Sequence, residues 1–331
     1  MPVSIKMFSV KSIPTKKYQV IRLVAAHTFS TYLPSAIQHQ KFLSMVKHQG
    51  EGKIYMNRLD CNVAEIVIDN PLKRGAISGK MMNDLARIVD ELLESGNEPI
   101  GLLLRGTSNS FCAGADFNLA ASLLTAREGA IRMNNFMNYV LNSIRNSSMI
   151  SVCMINGPAL GGGAELTTTC DYRIIWTNAK VCFVHAKVGA SPGWGGGSRL
   201  CSIVGRKQAI RLLAGSHTLD AQEAKLIGFA DAVADTTDST DEEIRNTAFK
   251  FLEPFLKQQY PNSVSAAKAI VAAADSVGVS GGLTPEEARA VEVKSHATPR
   301  NFTYYLHLKS SYPVIPCLIL NFHYFCRNLC F

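Results

Sequence analysis

The chain has 331 residues, 47% of them hydrophobic and 18% charged, enough apolar material for a substantial core and too much for wholesale disorder. Its net charge of +8 is confined to the ends: residues 1–50 hold seven Lys/Arg and no acid, and residues 297–331 hold three and none. The intervening 24 basic and 26 acidic residues exclude a basic nucleic-acid groove across the folded part. No run of 18 apolar residues occurs, so no membrane span is expected.

Residues 1–50 read as a basic, Ser/Thr-rich extension, with a transit-like composition or a poorly ordered terminus as equal readings. From residue 51 the pattern is regular. Val63–Asp69 reads as a strand ended by the turn pair Asn70-Pro71. Ser78 then suits a helix N-cap, before Met81, Met82, Leu85, Ile88, Val89 and Leu92 at helical spacing. Ile100–Arg105 and Ile150–Ile155 are continuous apolar strands of the kind covered on both faces. Ile131–Ile144 between them fits a helix. Tyr172–Trp176 and Val181–Val184 read as further strands, with His185 in the apolar run of the second. Arg206–Leu213 and Asp220–Leu226 read as helices, and Pro285–Val293 as a last helix capped by Thr284. Strand and helix alternate, so the class is α/β. Residues 297–331 carry eight of 27 aromatics and three of nine cysteines, an atypical tail outside the expected 51–296 domain.

The cysteine count is odd and no Cys-x-x-Cys occurs, which points to free thiols in a reducing compartment. His185, His217 and His296 are the only histidines between residues 51 and 296, and none has paired ligand spacing, so no metal site is expected.

Two turns carry chemistry. Asn156-Gly-Pro-Ala-Leu-Gly-Gly-Gly-Ala-Glu165 leads a strand through three glycines into a helix start, where the first amides have no internal partner. Such amides suit a phosphate or a transient oxyanion, and a glycine triplet alone serves a tight turn equally well. Ser110-Phe-Cys-Ala-Gly-Ala-Asp-Phe117 is a second glycine turn after a strand. Amides from two such turns can meet on one carbonyl oxygen, each donor being worth about 3 kcal/mol in the transition state.

Asn70-Pro71 through Ser78, Phe111 through Asp116, Gly157 through Glu165 and Ser191-Pro-Gly-Trp-Gly-Gly196 together resemble the crotonase (enoyl-CoA hydratase/isomerase) superfamily over residues 52–295. The resemblance implies a crotonase-like spiral of ββα units with a C-terminal helical trimerisation region, a homotrimer or dimer of trimers, and acyl-CoA thioesters as substrates. It places the Ala115 and Gly162 amides on the thioester carbonyl. Lys73, Arg74, Ala76, Ala113 and Phe117 fall where relatives hold the nucleotide and pantetheine. Glu165 matches one of the two glutamates that hydratases use, and His185 stands at the place of the second.

That departure, with Gly161-Gly-Gly-Ala-Glu-Leu, Phe183-Val-His185, Trp194-Gly-Gly and Arg206-Lys-Gln-Ala-Ile, is most similar to the decarboxylating branch of the superfamily. The implied reaction takes ethylmalonyl-CoA, and less well methylmalonyl-CoA, to butyryl-CoA or propionyl-CoA with loss of CO2, as metabolite repair. Glu165 and His185 share proton donation and carboxylate orientation in an order the sequence leaves open. Trp194 reads as pocket wall, and Arg173 as a structural charge pair. No cofactor is implied beyond the CoA of the substrate. The alternatives are an enoyl-CoA hydratase or isomerase, and a catalytically silent CoA- or RNA-binding homologue. The resemblance points to the cytosol, the leader composition to the mitochondrial matrix.

Overall fold

A computed structural model describes residues 36–94, 98–124, 127–235 and 240–275. The expected last helix at 285–293 and the 297–331 tail lie outside them, as do residues 1–35.

The main sheet has six strands: β1 (Lys53–Leu59), β2 (Val63–Asp69), β3 (Gly101–Gly106), β4 (Ile150–Ile155), β6 (Tyr172–Trp176) and β9 (Ala232–Ala234), in that spatial order. β1 and β2 form an antiparallel hairpin, and every later pairing in this sheet is parallel. β3 and β4 are buried at every residue, as apolar strands covered on both sides must be. A second sheet, β5 (Ala159–Leu160), β7 (Val181–Cys182) and β8 (Thr218–Leu219), stands beside the first.

The helices follow the strands. α2 (Gly79–Glu94) buries Met81, Met82, Leu85, Ile88, Val89 and Leu92, the stripe expected from spacing. Ser78 caps it, its Oγ accepting from the Met81 amide at 3.2 Å. α3 (Phe117–Leu124) and α4 (Arg127–Arg145) lie between β3 and β4, and α5 (Gly162–Thr167) follows β5. α6 (Gly196–Leu213) is broken at Gly205, where φ is +74°. It therefore begins ten residues before the helix expected at Arg206. α7 (Ala221–Leu226) starts at Asp220, whose side chain accepts from the Glu223 amide. α8 (Asp241–Leu256) carries a capping box of Thr240 and Glu243, and α9 (Pro261–Asp275) ends the described chain.

One helix, α1 (Ala36–Val46), lies inside the segment expected to be an extension. Phe42 and Val46 are buried in the main core, so the folded unit begins before residue 51. Gly79 shows how close this helix comes, since a Cβ there would stand 2.1 Å from the Val46 carbonyl oxygen.

Charge is also buried in the sheet. Glu65 on β2 and Arg105 on β3 are both fully buried and joined at 2.7 Å, and Arg245 from α8 donates to both oxygens of Glu65 at 3.0 and 2.7 Å. Burial works against the Glu65 charge, but the bonds from Arg245, Arg105 and Asn57 outweigh it and hold the carboxyl below its ordinary range. Arg173 is a structural charge pair as expected. Its partner is Asp231 at 3.4 Å, with the carbonyls of Phe229, Cys170 and Asp171.

Candidate active site

The first turn is assembled by the loop after β2. Buried Asn70 donates from Nδ2 to the Ala76 carbonyl at 2.7 Å, and the Gly75 amide returns to the Asn70 carbonyl at 2.9 Å. The folded loop delivers Ile77 into a parallel bridge with Ala115. The Ile77 amide donates to the Gly114 carbonyl at 2.7 Å, and the Asp116 amide to the Ile77 carbonyl at 2.9 Å. Bridging therefore consumes the groups flanking Ala115 and turns the Ala115 N–H away from Ile77. No hydrogen bond among the described residues uses that N–H.

The second turn is strapped to the first. Leu160 N donates to the Cys112 carbonyl at 2.9 Å, and Cys112 N to that of Pro158 at 3.2 Å. Gly161 N bonds the Cys182 carbonyl, and Gly162 then opens α5 with an amide that has no intrahelical acceptor. Glycine is required on both sides of this seam. A Cβ on Gly163 would lie 2.0 Å from the Cys112 oxygen, and one on Gly114 (φ +92°) would lie 3.1 Å from the Gly162 nitrogen. Ala115 and Gly162 thus carry unspent amides on adjoining backbone, as an oxyanion hole needs.

Glu165 sits one turn into α5 and is only 1% exposed. Its Oε1 accepts from the Gly193 amide at 3.1 Å, and its Oε2 from the amides of Trp194 and Gly196, both at 2.8 Å. His185 Nε2 lies 3.1 Å from Oε1. His185 thus faces a carboxylate oxygen that already accepts from the Gly193 amide. Its Nδ1 is buried and without a hydrogen-bond partner among the described residues. His185 does not lie in the expected strand: β7 stops at Cys182, and a 3-10 turn, Val184–Val188, follows. That turn ends at Gly189 (φ +71°) and swings the imidazole onto Glu165.

Trp194 links the parts. Its amide holds Glu165, while its ring lies against Gly162, where a Cβ would stand 2.7 Å from Cζ3. The Trp194 ring is therefore packed against the second glycine turn itself.

The residues expected at the CoA end are together but differently engaged. Lys73 pairs with Asp116 at 2.6 Å, so its charge is committed there. Burial opposes the Asp116 charge, yet Lys73 and the Leu119 and Asn118 amides hold its carboxyl below the ordinary value. Arg74 is exposed, with φ +54°. Ala76 is buried beneath Asn70, Ala113 is half-buried beside the seam, and Phe117 is 83% exposed at the start of α3.

Sequence reasoning passed over the support behind Glu165. Arg199 on α6 and Asn138 on α4 hold the 193–196 loop, Asn138 Nδ2 donating to the Gly193 carbonyl at 2.8 Å, and Asn142 on α4 accepts from Arg199. The four glycines surrounding Trp194 were the available signal. Cβ atoms at Gly193, Gly195 and Gly196 would meet Asn134, Asn138 and Glu165 at 2.3, 2.2 and 2.5 Å.

Among solved structures, the fold is similar to that of an enoyl-CoA hydratase from Thermoplasma volcanium GSS1, with a TM-score of 0.62 and 26% identity, covering 73% of this chain and 90% of that one. Among curated proteins, the chain is 38% identical over 207 residues to ethylmalonyl-CoA decarboxylase of Bos taurus, covering 62% of this chain and 66% of that protein. It is 40% identical over 190 residues to the protein of that name from Homo sapiens, covering 57% and 61%. The chain thus spans about two thirds of the length of these relatives. The pattern of the enoyl-CoA hydratase/isomerase family matches residues 58–298. On that match, and with the paired glycine turns in place, the chain belongs to the enoyl-CoA hydratase/isomerase family.

Proposed function

We propose that this chain is an acyl-CoA decarboxylase that converts ethylmalonyl-CoA to butyryl-CoA and CO2, with methylmalonyl-CoA as a poorer substrate. One observation carries the reading: Glu165 faces a histidine where hydration chemistry would require a second carboxylate. The name shared by the curated relatives supports it.

The thioester carbonyl accepts from the Ala115 and Gly162 amides. The bond between the α-carbon and the carboxylate breaks, CO2 departs, and the electron pair is delocalised onto the carbonyl oxygen as an enolate. Fixed amides stabilise that charge without reorganising, which is where most of the rate enhancement arises. The α-carbon then takes a proton, delivered from Nδ1 of a His185 imidazolium. Glu165, held by three backbone amides, orients His185 and balances its charge. The thioester is the electron sink, so these steps call for no metal or organic cofactor.

The chemistry suits metabolite repair. A homotrimer or dimer of trimers in the cytosol belongs to the same reading, as do CoA phosphates near Arg74. The rival hydratase or isomerase reading needs proton exchange through Glu165, whose oxygens already accept from three backbone amides.

Turnover in D2O tests the proposal. One deuterium should enter the α-carbon per CO2 released, and His185→Ala should lose turnover while still binding the thioester. Full turnover by that variant would remove His185 from the reaction.

A further inference from the structure

Arg199, in the first turn of α6, is 5% exposed and takes no part in the proton transfer described above. Its guanidinium donates to the Trp194 carbonyl at 2.7 Å, Thr168 Oγ1 at 3.0 Å, Asn142 Oδ1 at 3.2 Å and the Glu165 carbonyl at 3.4 Å. These oxygens belong to the Trp194 loop, the end of α5, and α4. One planar group therefore joins the backbone that carries Glu165 to the loop whose amides receive its carboxylate. No carboxylate among the described residues forms a salt bridge with Arg199. Burial pulls its pKa down to about 10, and the charge of Glu165 acts in the opposite sense, favouring the cation.

A lysine could not reproduce this arrangement, because four acceptors in three directions match the fork of a guanidinium and not a single ammonium. The arrangement also explains the glycine at 195: a Cβ there would lie 2.6 Å from Arg199 Nη1. Arg199 makes no hydrogen bond to Ala115 or Gly162, and two of its bonds go to the backbone of Glu165 and Trp194, so its effect falls first on the Glu165–His185 half of the site.

We propose that Arg199 is the positioning residue of this site, clamping the Trp194 loop onto Glu165 so that the Glu165–His185 pair keeps the orientation needed for proton delivery. The inference rests on the reading of His185 as the donor to the α-carbon. Small misplacements of such a pair can cost about 100-fold in rate, whereas Arg199 contributes no hydrogen bond to the two amides proposed to bind the thioester.

The test compares full-length wild type with Arg199→Met, Arg199→Lys and Asn142→Ala, using Arg173→Met as a control at a buried arginine outside the site. Two reactions are followed per folded molecule: decarboxylation of ethylmalonyl-CoA, and deuterium exchange at the α-carbon of butyryl-CoA in D2O. The expected result is a kcat loss of about 10- to 100-fold in Arg199→Met, with KM within about twofold. Arg199→Lys should recover part of it, and Asn142→Ala should show a smaller loss of the same kind. Arg173→Met should lower the melting temperature with kcat retained.

If Arg199→Met or, should it not fold, Arg199→Lys matches the kinetics of Arg173→Met, Arg199 is a structural tie only and the proposal is overturned. Exchange without decarboxylation in wild type would remove the decarboxylase reading alone, and the exchange rates would still decide the role of Arg199. Absence of both reactions in wild type would overturn both.

Discussion

The imidazole Nε2 of His185 lies 3.1 Å from Oε1 of Glu165, on a carboxylate already bonded by the Gly193, Trp194 and Gly196 amides. A carboxylate surrounded by donors is an anchor, and its free neighbour is the ring nitrogen on the far side of the histidine. Replacing it with Glu165→Gln would place an amide NH2 against backbone N–H groups and strand at least one of them, at about 1–3 kcal/mol. The variant should melt earlier and lose most turnover. Wild-type kcat in a folded Glu165→Gln protein would show that the carboxylate is not needed to hold the site.

His185→Ala separates chemistry from packing. The histidine side chain is only 12% exposed, so its loss should lower the unfolding midpoint as well. Removing a proton donor should lower kcat by about 100- to 10,000-fold. Steady-state kinetics with a parallel thioester-binding titration checks this, and a fall in stability without a fall in kcat would mark His185 as a packing residue.

Gly162→Ala keeps the N–H proposed to hold the oxyanion but sends a methyl group toward the Trp194 ring, 2.7 Å from Cζ3. The clash should displace either the amide or the ring and cut turnover. Trp194→Leu in the same chain should restore part of it by making room. On its own, Trp194→Leu should raise kcat/KM for thioesters with longer α-branches relative to ethylmalonyl-CoA. A Gly162→Ala variant with unchanged kinetics would contradict the placement of this amide.

Acid should weaken the Glu65 network. Glu65 has a folded-state pKa below its ordinary value of 4.5, so the stabilisation of its charged form is present above that value and is lost as pH falls through the folded one. Protonation would leave the fully buried Arg105 with Asp241 as its remaining carboxylate partner and loosen Arg245 on α8. Glu65→Gln should cost about 3–5 kcal/mol at neutral pH and flatten the acid limb of the stability curve. Urea unfolding at several pH values measures both, and parallel wild-type and mutant curves would contradict it.

How much of this was legible in the sequence follows from the physics of each part. β2, β3, β4 and α2 were readable because a buried strand or stripe must be apolar at nearly every inward position. The glycines at 114 and 163 were readable because backbone touches backbone there, and Gly162 because the Trp194 ring packs against it. β1 escaped notice, since Lys53–Leu59 is mostly half-exposed and does not alternate. β9 has only three residues, too few for a pattern. α8 was missed despite a usable signal, the capping box of Thr240 and Glu243. The placement of His185 in a strand failed because the chain turns at Val184, a bend released by Gly189 seven residues beyond Cys182. Arg199 left no trace of its role, because one buried arginine in a helix resembles any surface arginine until its acceptors are known.

The central claim is most directly tested by giving the purified protein ethylmalonyl-CoA, methylmalonyl-CoA and crotonyl-CoA separately and following the products by mass. The account predicts butyryl-CoA with CO2 from the first, slower propionyl-CoA from the second and no hydrated product from the third. Hydrated crotonyl-CoA with ethylmalonyl-CoA left intact would contradict it.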